Sequence, residues 1–323
     1  MAEILNGFLA KNIKKAAKLL KKGEPVAFPT ETVYGLGAIA YQKKAVAKIF
    51  EIKERPFFDP IIVHIANLQQ LEEVAEVNDE RVYLLVKHFW PGPLTLILPK
   101  KKKVPYLVTA GLETVGVRMP QNLVALSLIE EVKMPIAAPS ANKFSQLSPT
   151  RAEHVEKQIG DKIKIILDGE KSLFGVESTI LLMEETPVVL RTGALPIEEI
   201  EKVIGPVLLK KKISQVLAPG NLKTHYSPIK PLILISSEEE IDKLKDKNKK
   251  IGFLAFQKIK NKKQFVDWKI LSEKGDLKEA ASNFFDYLHQ LDDGPAEIIF
   301  AEKVEEVGLG KAIMERLMKA MHK

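Results

Sequence analysis

The stretch PTETVYGLGAIA, residues 29–40, holds the decision between two readings of this chain. Gly35-Leu-Gly37-Ala-Ile-Ala40 fits G-x-G-x-x-A, the pattern in which amides at a strand-to-helix turn cradle a pyrophosphate. Such a turn should lead directly into a helix. Here AIAYQKK intervenes before helical spacing begins near Ala45, so the glycines are expected to serve a tight turn instead of a dinucleotide. Just before them, Thr30, Glu31, Thr32 and Tyr34 form a polar cluster that a plain turn does not need.

Outward from this stretch, helical and strand-like segments alternate. AKNIKKAAKLLKK has apolar residues at helical spacing and stops at Gly23, before the strand PVAFP. AVAKIFEIKER is helical up to Pro56 and precedes the strand PIIVHIA, and the same alternation continues to the helix PIEEIEKVIG. Thr150 and Glu153 suggest a capping box opening RAEHVEKQIG. Many strands with interleaved helices predict an open, twisted mixed α/β sheet with flanking helices over residues 1–206. Residues 207–230 are rich in lysine and proline and read as a connection. Residues 231–323 run strand, helix, strand, strand, helix, strand, helix, a small Rossmann-like α/β domain. Ile313, Leu317 and Met321 of the last helix form a packing stripe.

At 323 residues and 46% hydrophobic, the chain can hold two cored domains. Its longest apolar runs are strand-sized, well short of the ~18–20 residues of a membrane helix. The N-terminus lacks a secretory pattern, so a cytoplasmic protein with no membrane partner is expected. Without cysteine there is no thiolate nucleophile, disulfide or thiolate-bound metal. The formal charge of +7 is concentrated in lysine runs at 99–103, 210–212, 245–250 and 258–263, which suit solvated loops or transient RNA contact. A non-catalytic tRNA- or RNA-binding protein is therefore the alternative class, although the lysines are not interleaved with aromatics.

Neither G-x-x-x-x-G-K-[ST] nor G-x-S-x-G occurs, and six scattered histidines without H-E-x-x-H predict no protein-held metal. Any catalysis would rest on positioning and electrostatics. Lys53 and Arg55 stand before a turn, where they suit phosphate or carboxylate oxygens and equally complement a helix C-terminus. His64 in the middle of IIVHIA reads as a core or edge residue. Arg118 is a cation inside the apolar strand VGVRMP and needs an anionic partner, which a substrate carboxylate could supply. APSANKFSQLSPT, GVESTI and LRTGA add hydroxyls, Asn142 and Arg191. Together these residues suggest a cleft for a ligand bearing phosphate and carboxylate groups, without selecting the ligand.

The order of PTETVYGLG, KERPFFDPIIVHI, WPGPLTLIL, VGVRMP, APSAN, LSPT, GVESTI and LRTGA resembles the YrdC-domain family, and the L-threonylcarbamoyladenylate synthases in particular. The likeness spans roughly residues 10–205, and APGNLKTHYSP and GLGKAIMERL extend it to the long, two-domain form. The resemblance implies a YrdC-like first domain that converts L-threonine, bicarbonate and ATP, with Mg2+, into threonylcarbamoyl-AMP and pyrophosphate. The product would serve the adenosine beside the anticodon of tRNA, through transient contact with tRNA or a downstream transferase complex. By carry-over, Thr32, His64, Arg118, Ala138 and Ser178 form the threonine pocket, with Arg118 on the carboxylate. Lys53, Arg55, Asp59, Thr114, Ser140, Ser148, Arg191 and Tyr226 line the ATP side; Lys53 and Arg55 carry the catalytic charge stabilisation, and Tyr226 folds the connection over the nucleotide as a lid. Three positions depart from the family's pattern: Asp59 stands where asparagine is common, no methionine follows Gly220, and Glu315 replaces a frequent asparagine.

Overall fold

The helical spacing near the N-terminus gives the helix Ala10–Lys21, which buries Ile13, Ala16, Ala17 and Leu20 and turns its lysines to solvent. In the same way Val46, Ile49 and Phe50 form the buried face of the helix Lys43–Lys53. The computed structural model of the protein describes residues 1–209, 218–219, 225–245 and 248–321. The lysine run at 210–212 and the connection around Gly220 lie outside these residues, as does part of the run at 245–250.

Among the described residues, eleven strands make one mixed sheet. Its spatial order is Glu3–Asn6, Ile165–Asp168, Val26–Phe28, Gly35–Ile39, Ile136–Ala137, Val63–His64, Thr114–Arg118, Leu94–Pro99, Thr179–Leu182, Val188–Arg191 and Leu208–Leu209. The sheet combines parallel pairs, such as Val63–His64 with Thr114–Arg118, and antiparallel ones, such as Val26–Phe28 with Gly35–Ile39. A second sheet of four parallel strands follows the order Leu232–Ile235, Ile298–Glu302, Ile251–Ala255, Asp267–Ile270. The helices Leu277–Asp293 and Leu309–Ala320 pack on each other beside it. The mixed sheet and the small parallel domain are those predicted from the alternating pattern. No helix among the described residues is long and apolar enough to cross a membrane.

Three local expectations are corrected. Gly35 and Gly37 belong to a strand, not to a tight turn. The space a Cβ of Gly37 would need is filled, with Phe28 Cε1 at 2.6 Å and Ile136 Cγ2 at 2.7 Å, so close strand packing selects the glycine. The expected capping box does not form. The helix Ala152–Ile159 has Arg151 at its N-cap, and the buried Thr150 pairs with His154 Nδ1. The strand expected over residues 60–66 is confined to Val63–His64, because the Ile61 amide turns to the Val108 carbonyl.

One apolar cluster joins the two sheets' surroundings: Val33, Leu147 and Val176 pack with Ala281, Phe284 and Phe285 of the helix Leu277–Asp293. Gly175 makes the approach possible, since a Cβ there would meet the Ala281 carbonyl oxygen at 2.4 Å. Burial of several large side chains between the two units fixes the second against the first.

Candidate functional site

Successive side chains of a strand point to opposite faces. Val63 and His64 therefore point to opposite faces, and register sets His64 beside Arg118 on the neighbouring strand. Both open into a narrow cavity of about 50 Å3 that Thr32, Ala138, Ser178 and Arg191 also line, with Pro219, His225 and Tyr226 over it.

Arg118 is buried and well held: its Nε donates to the Gly92 carbonyl at 3.1 Å and its Nη1 to Thr32 Oγ1 at 2.8 Å. Its anionic partner inside the protein is Glu31, whose Oε1 lies 2.6 Å from Nη2. The polar cluster before the glycines thus has a function: Thr32 and Glu31 aim the guanidinium. Thr30 in turn accepts the Val33 amide and donates to the Val33 carbonyl, tightening the loop that carries both. His64 packs edge-on against Phe28, and burial, with Arg118 beside it, pushes its pKa down to about 3, so the ring is neutral.

The opposite wall carries more cations. Arg191 donates from Nε and Nη2 to the Ser178 carbonyl at 3.1 and 2.8 Å, and from Nη1 to the Pro219 carbonyl at 3.2 Å. Ser178 Oγ is 2.8 Å from Thr95 Oγ1. Arg55 lines the cavity with its Nη2 2.9 Å from Asp59 Oδ2 and 2.8 Å from the Pro60 carbonyl. Tyr226 has a left-handed backbone, φ 64°, and its ring is fully enclosed between His225 and Phe285. The following residue fastens the connection down, its Ser227 amide donating to the Ser145 carbonyl at 2.8 Å.

The structure gathers Thr32, Arg55, His64, Arg118, Ala138, Ser140, Ser178, Arg191 and Tyr226 around one cavity. Four residues expected there stand elsewhere. Lys53 is buried beneath the site, its Nζ donating to the carbonyls of Ser140 and Asn142 at 2.6 and 2.5 Å. It occupies the apolar register of its helix, with Ile49 and Phe50, and burial holds its pKa well below the ordinary lysine value. It clamps the 140–144 loop and does not face the cavity. Asp59 is fully enclosed and serves Arg55; burial raises its carboxyl while Arg55 opposes the shift. Ser148 turns its hydroxyl to Glu177. Thr114 begins the strand that Arg118 ends, ~13 Å away at ~3.3 Å per residue.

Residues that sequence reasoning did not select are Glu31, Glu177, His225 and Arg316. Glu177 lines the cavity, with Arg316 Nε 3.0 Å from its Oε2. Burial works against its ionisation, but Arg316, Arg191 and Ser148 together hold it below the usual carboxylate range. Sequence signals existed for the first three: Glu31 and Glu177 stand inside the quoted polar motifs, and His225 adjoins Tyr226. Among the described residues, no cluster of three or more His, Asp or Glu side chains is placed to hold a metal.

A Sua5/YciO/YrdC family model, described as telomere recombination, matches residues 18–193, and one described as threonylcarbamoyl-AMP synthase, C-terminal domain, matches residues 195–321. The chain is 45% identical over 324 residues to the threonylcarbamoyl-AMP synthase of Pyrococcus abyssi, covering 95% of this chain and 93% of that protein. It is 43% identical over 319 residues to that of Bacillus subtilis, covering 95% and 92%. A crystal structure of Pyrococcus abyssi Sua5 complexed with L-threonine superposes with a TM-score of 0.93 at 43% identity, over 99% of this chain and 98% of that one.

Proposed function

The chain belongs to the threonylcarbamoyl-AMP synthase family, in its long two-domain form, and from that premise we propose that the cleft joins L-threonine, bicarbonate and ATP into threonylcarbamoyl-AMP and pyrophosphate. The observation that carries this reading is Arg118, a buried cation at the cavity with the Thr32 hydroxyl beside it, in a fold that superposes on a relative bound to L-threonine.

In this reading Arg118 and Thr32 take the amino acid's carboxylate, and Ser178 and Ala138 close the pocket around its side chain. Charge-assisted hydrogen bonds to a buried guanidinium give both affinity and orientation. Neutral His64 adds no charge to repel the ammonium. Once threonine's amine has lost a proton to solvent, its lone pair forms the C–N bond to the carbon of bicarbonate; the C–OH bond breaks, and the hydroxide takes the proton the nitrogen then sheds and leaves as water, giving the carbamate. A carbamate oxygen then attacks the α-phosphorus of ATP in line, forming the new P–O bond as the bond to pyrophosphate breaks. Arg191, Arg55 and Ser140 face the phosphates, and Tyr226 with Pro219 excludes water from a labile mixed anhydride.

Magnesium enters as the ion that ATP brings. Asp59 and Glu177 are already ion-paired to Arg55 and Arg316, so a resident magnesium site does not fit this donor set. Such an ion is held by phosphate oxygens and water. The product is the activated group for threonylcarbamoyl transfer to tRNA, in the cytoplasm, by a separate transferase complex.

The test is release of pyrophosphate by the purified full-length protein. It should require threonine, bicarbonate and ATP together; release that persists when threonine is omitted would refute the assignment.

A further inference from the structure

Glu177, in the cavity lining, and Thr192, next to the lining residue Arg191, are gripped from the second domain. Arg316, on the helix Leu309–Ala320, has no exposed surface. Its Nε lies 3.0 Å from Glu177 Oε2, beside Ser178, and its Nη1 donates to the Thr192 carbonyl at 2.6 Å, beside Arg191. The neighbouring Glu315 accepts from the Thr192 amide at 3.1 Å and from the Thr192 hydroxyl, and is itself held by Lys319 at 2.6 Å. Arg316 also lies over the Tyr226 ring, 5.4 Å from its centroid. One guanidinium therefore touches both ends of the Arg191 wall and the residue that covers it.

Charge makes the contact more than a strut. Glu177 is a carboxylate in the lining, and it faces the same cavity as Arg191 and Arg55. A lone buried carboxylate there would repel a triphosphate in a medium that screens poorly. Arg316 supplies the compensating charge from behind the wall, on the side away from the ligand.

We propose that Arg316 is a positioning residue for nucleotide binding: by neutralising Glu177 and fixing the Thr192 carbonyl, the last helix of the second domain completes the nucleotide side of the cleft. The inference rests on the synthase reading for the identity of the nucleotide. It gives residues 231–321 a share in the active site, beyond support of the first domain.

The experiment uses the full-length protein and the variants Arg316→Met, Arg316→Lys and the double variant Arg316→Met with Glu177→Gln. Apparent KM values for ATP and for threonine are measured separately from threonine-dependent pyrophosphate release, alongside direct binding of a fluorescent ATP analogue without threonine. Arg316→Met should raise the KM for ATP about 30-fold and leave that for threonine within about twofold, since one partner of a buried pair is stranded. Arg316→Lys keeps the charge but cannot fork to both partners, and should raise it by about threefold to tenfold. The double variant, which strands no charge, should recover about tenfold of the loss and keeps the test open should Arg316→Met fail to fold. Equal rises in both KM values, or a double variant whose KM for ATP is still raised about 30-fold, would overturn the proposal. A wild type that releases no pyrophosphate, with the same pattern retained in analogue binding, would instead overturn the synthase reading alone.

Discussion

The two sides of the cleft are built differently. The side carrying Thr32, His64 and Arg118 is complete within the first domain: Glu31, Thr32 and the Gly92 carbonyl hold Arg118, and each lies in the larger sheet or its loops. The side carrying Arg191 is assembled from the first domain, the connection and the last helix. Pro219 and Tyr226 come from the connection, and Arg316 and Glu315 from the last helix. A pocket that one unit makes is preorganised before any ligand arrives. A wall shared by two units depends on how they dock, so binding and domain packing become linked there.

The difference can be broken most sharply at Arg118. Arg118→Ala should lower kcat/KM for threonine by about 100-fold or more, the effect of removing a buried charged hydrogen-bonding partner, while the KM for ATP changes little. Equal damage to both substrates would erase the distinction between the sides. Tyr226→Ala tests the other wall and should raise the KM for ATP about tenfold, with threonine affinity measured calorimetrically within about twofold. A larger effect on threonine than on ATP would place Tyr226 on the wrong side of the cleft.

The smallest effect is expected at the interface itself. His154 and His289, from the helices Ala152–Ile159 and Leu277–Asp293, stack with ring centroids 3.9 Å apart. Burial, with His289 beside it, brings His154 down to about 3, and burial lowers His289 as well. Folded pKa values below the unfolded ones mean that this contribution is complete above pH ~6.5 and is lost as the pH falls toward 3. Each such histidine costs roughly 1.4 kcal/mol per pH unit within that window. Denaturant unfolding at pH 6.5 and 5 should therefore differ by about 2 kcal/mol less in His154→Phe than in the parent chain. An unchanged difference would show that the ring is not held neutral by the interface.

Much of the fold was legible because it rests on periodicity: the helix Ala10–Lys21 and the alternation into a mixed sheet follow from apolar spacing. Arg118 was legible too, as a cation where a strand should be apolar. The identity of its partner was not, since Glu31 meets it only after distant segments pair across the sheet. Lys53 shows the converse. A lysine near a presumed phosphate site attracts a functional reading, yet its register with Val46, Ile49 and Phe50 already placed it on the buried side of its helix. Arg316 sits three residues after Ile313 in a helix that reads as packing, and only the docked domains show what it packs against. The strand at Gly35 and Gly37 was not legible because glycine's usual place in turns says nothing about the side chains of the adjacent strands, which here leave no room for a Cβ at Gly37.

The central claim, that this cleft couples a carbamate made from threonine to the α-phosphate of ATP, is tested most directly by isotopically labelled bicarbonate. The purified protein is supplied with L-threonine, ATP, magnesium and the labelled salt, and the products are resolved by mass spectrometry. The account predicts threonylcarbamoyl-AMP carrying one labelled carbon, in amounts that match the pyrophosphate released. Pyrophosphate without that labelled adenylate, or an adenylate of threonine lacking the added carbon, would contradict it.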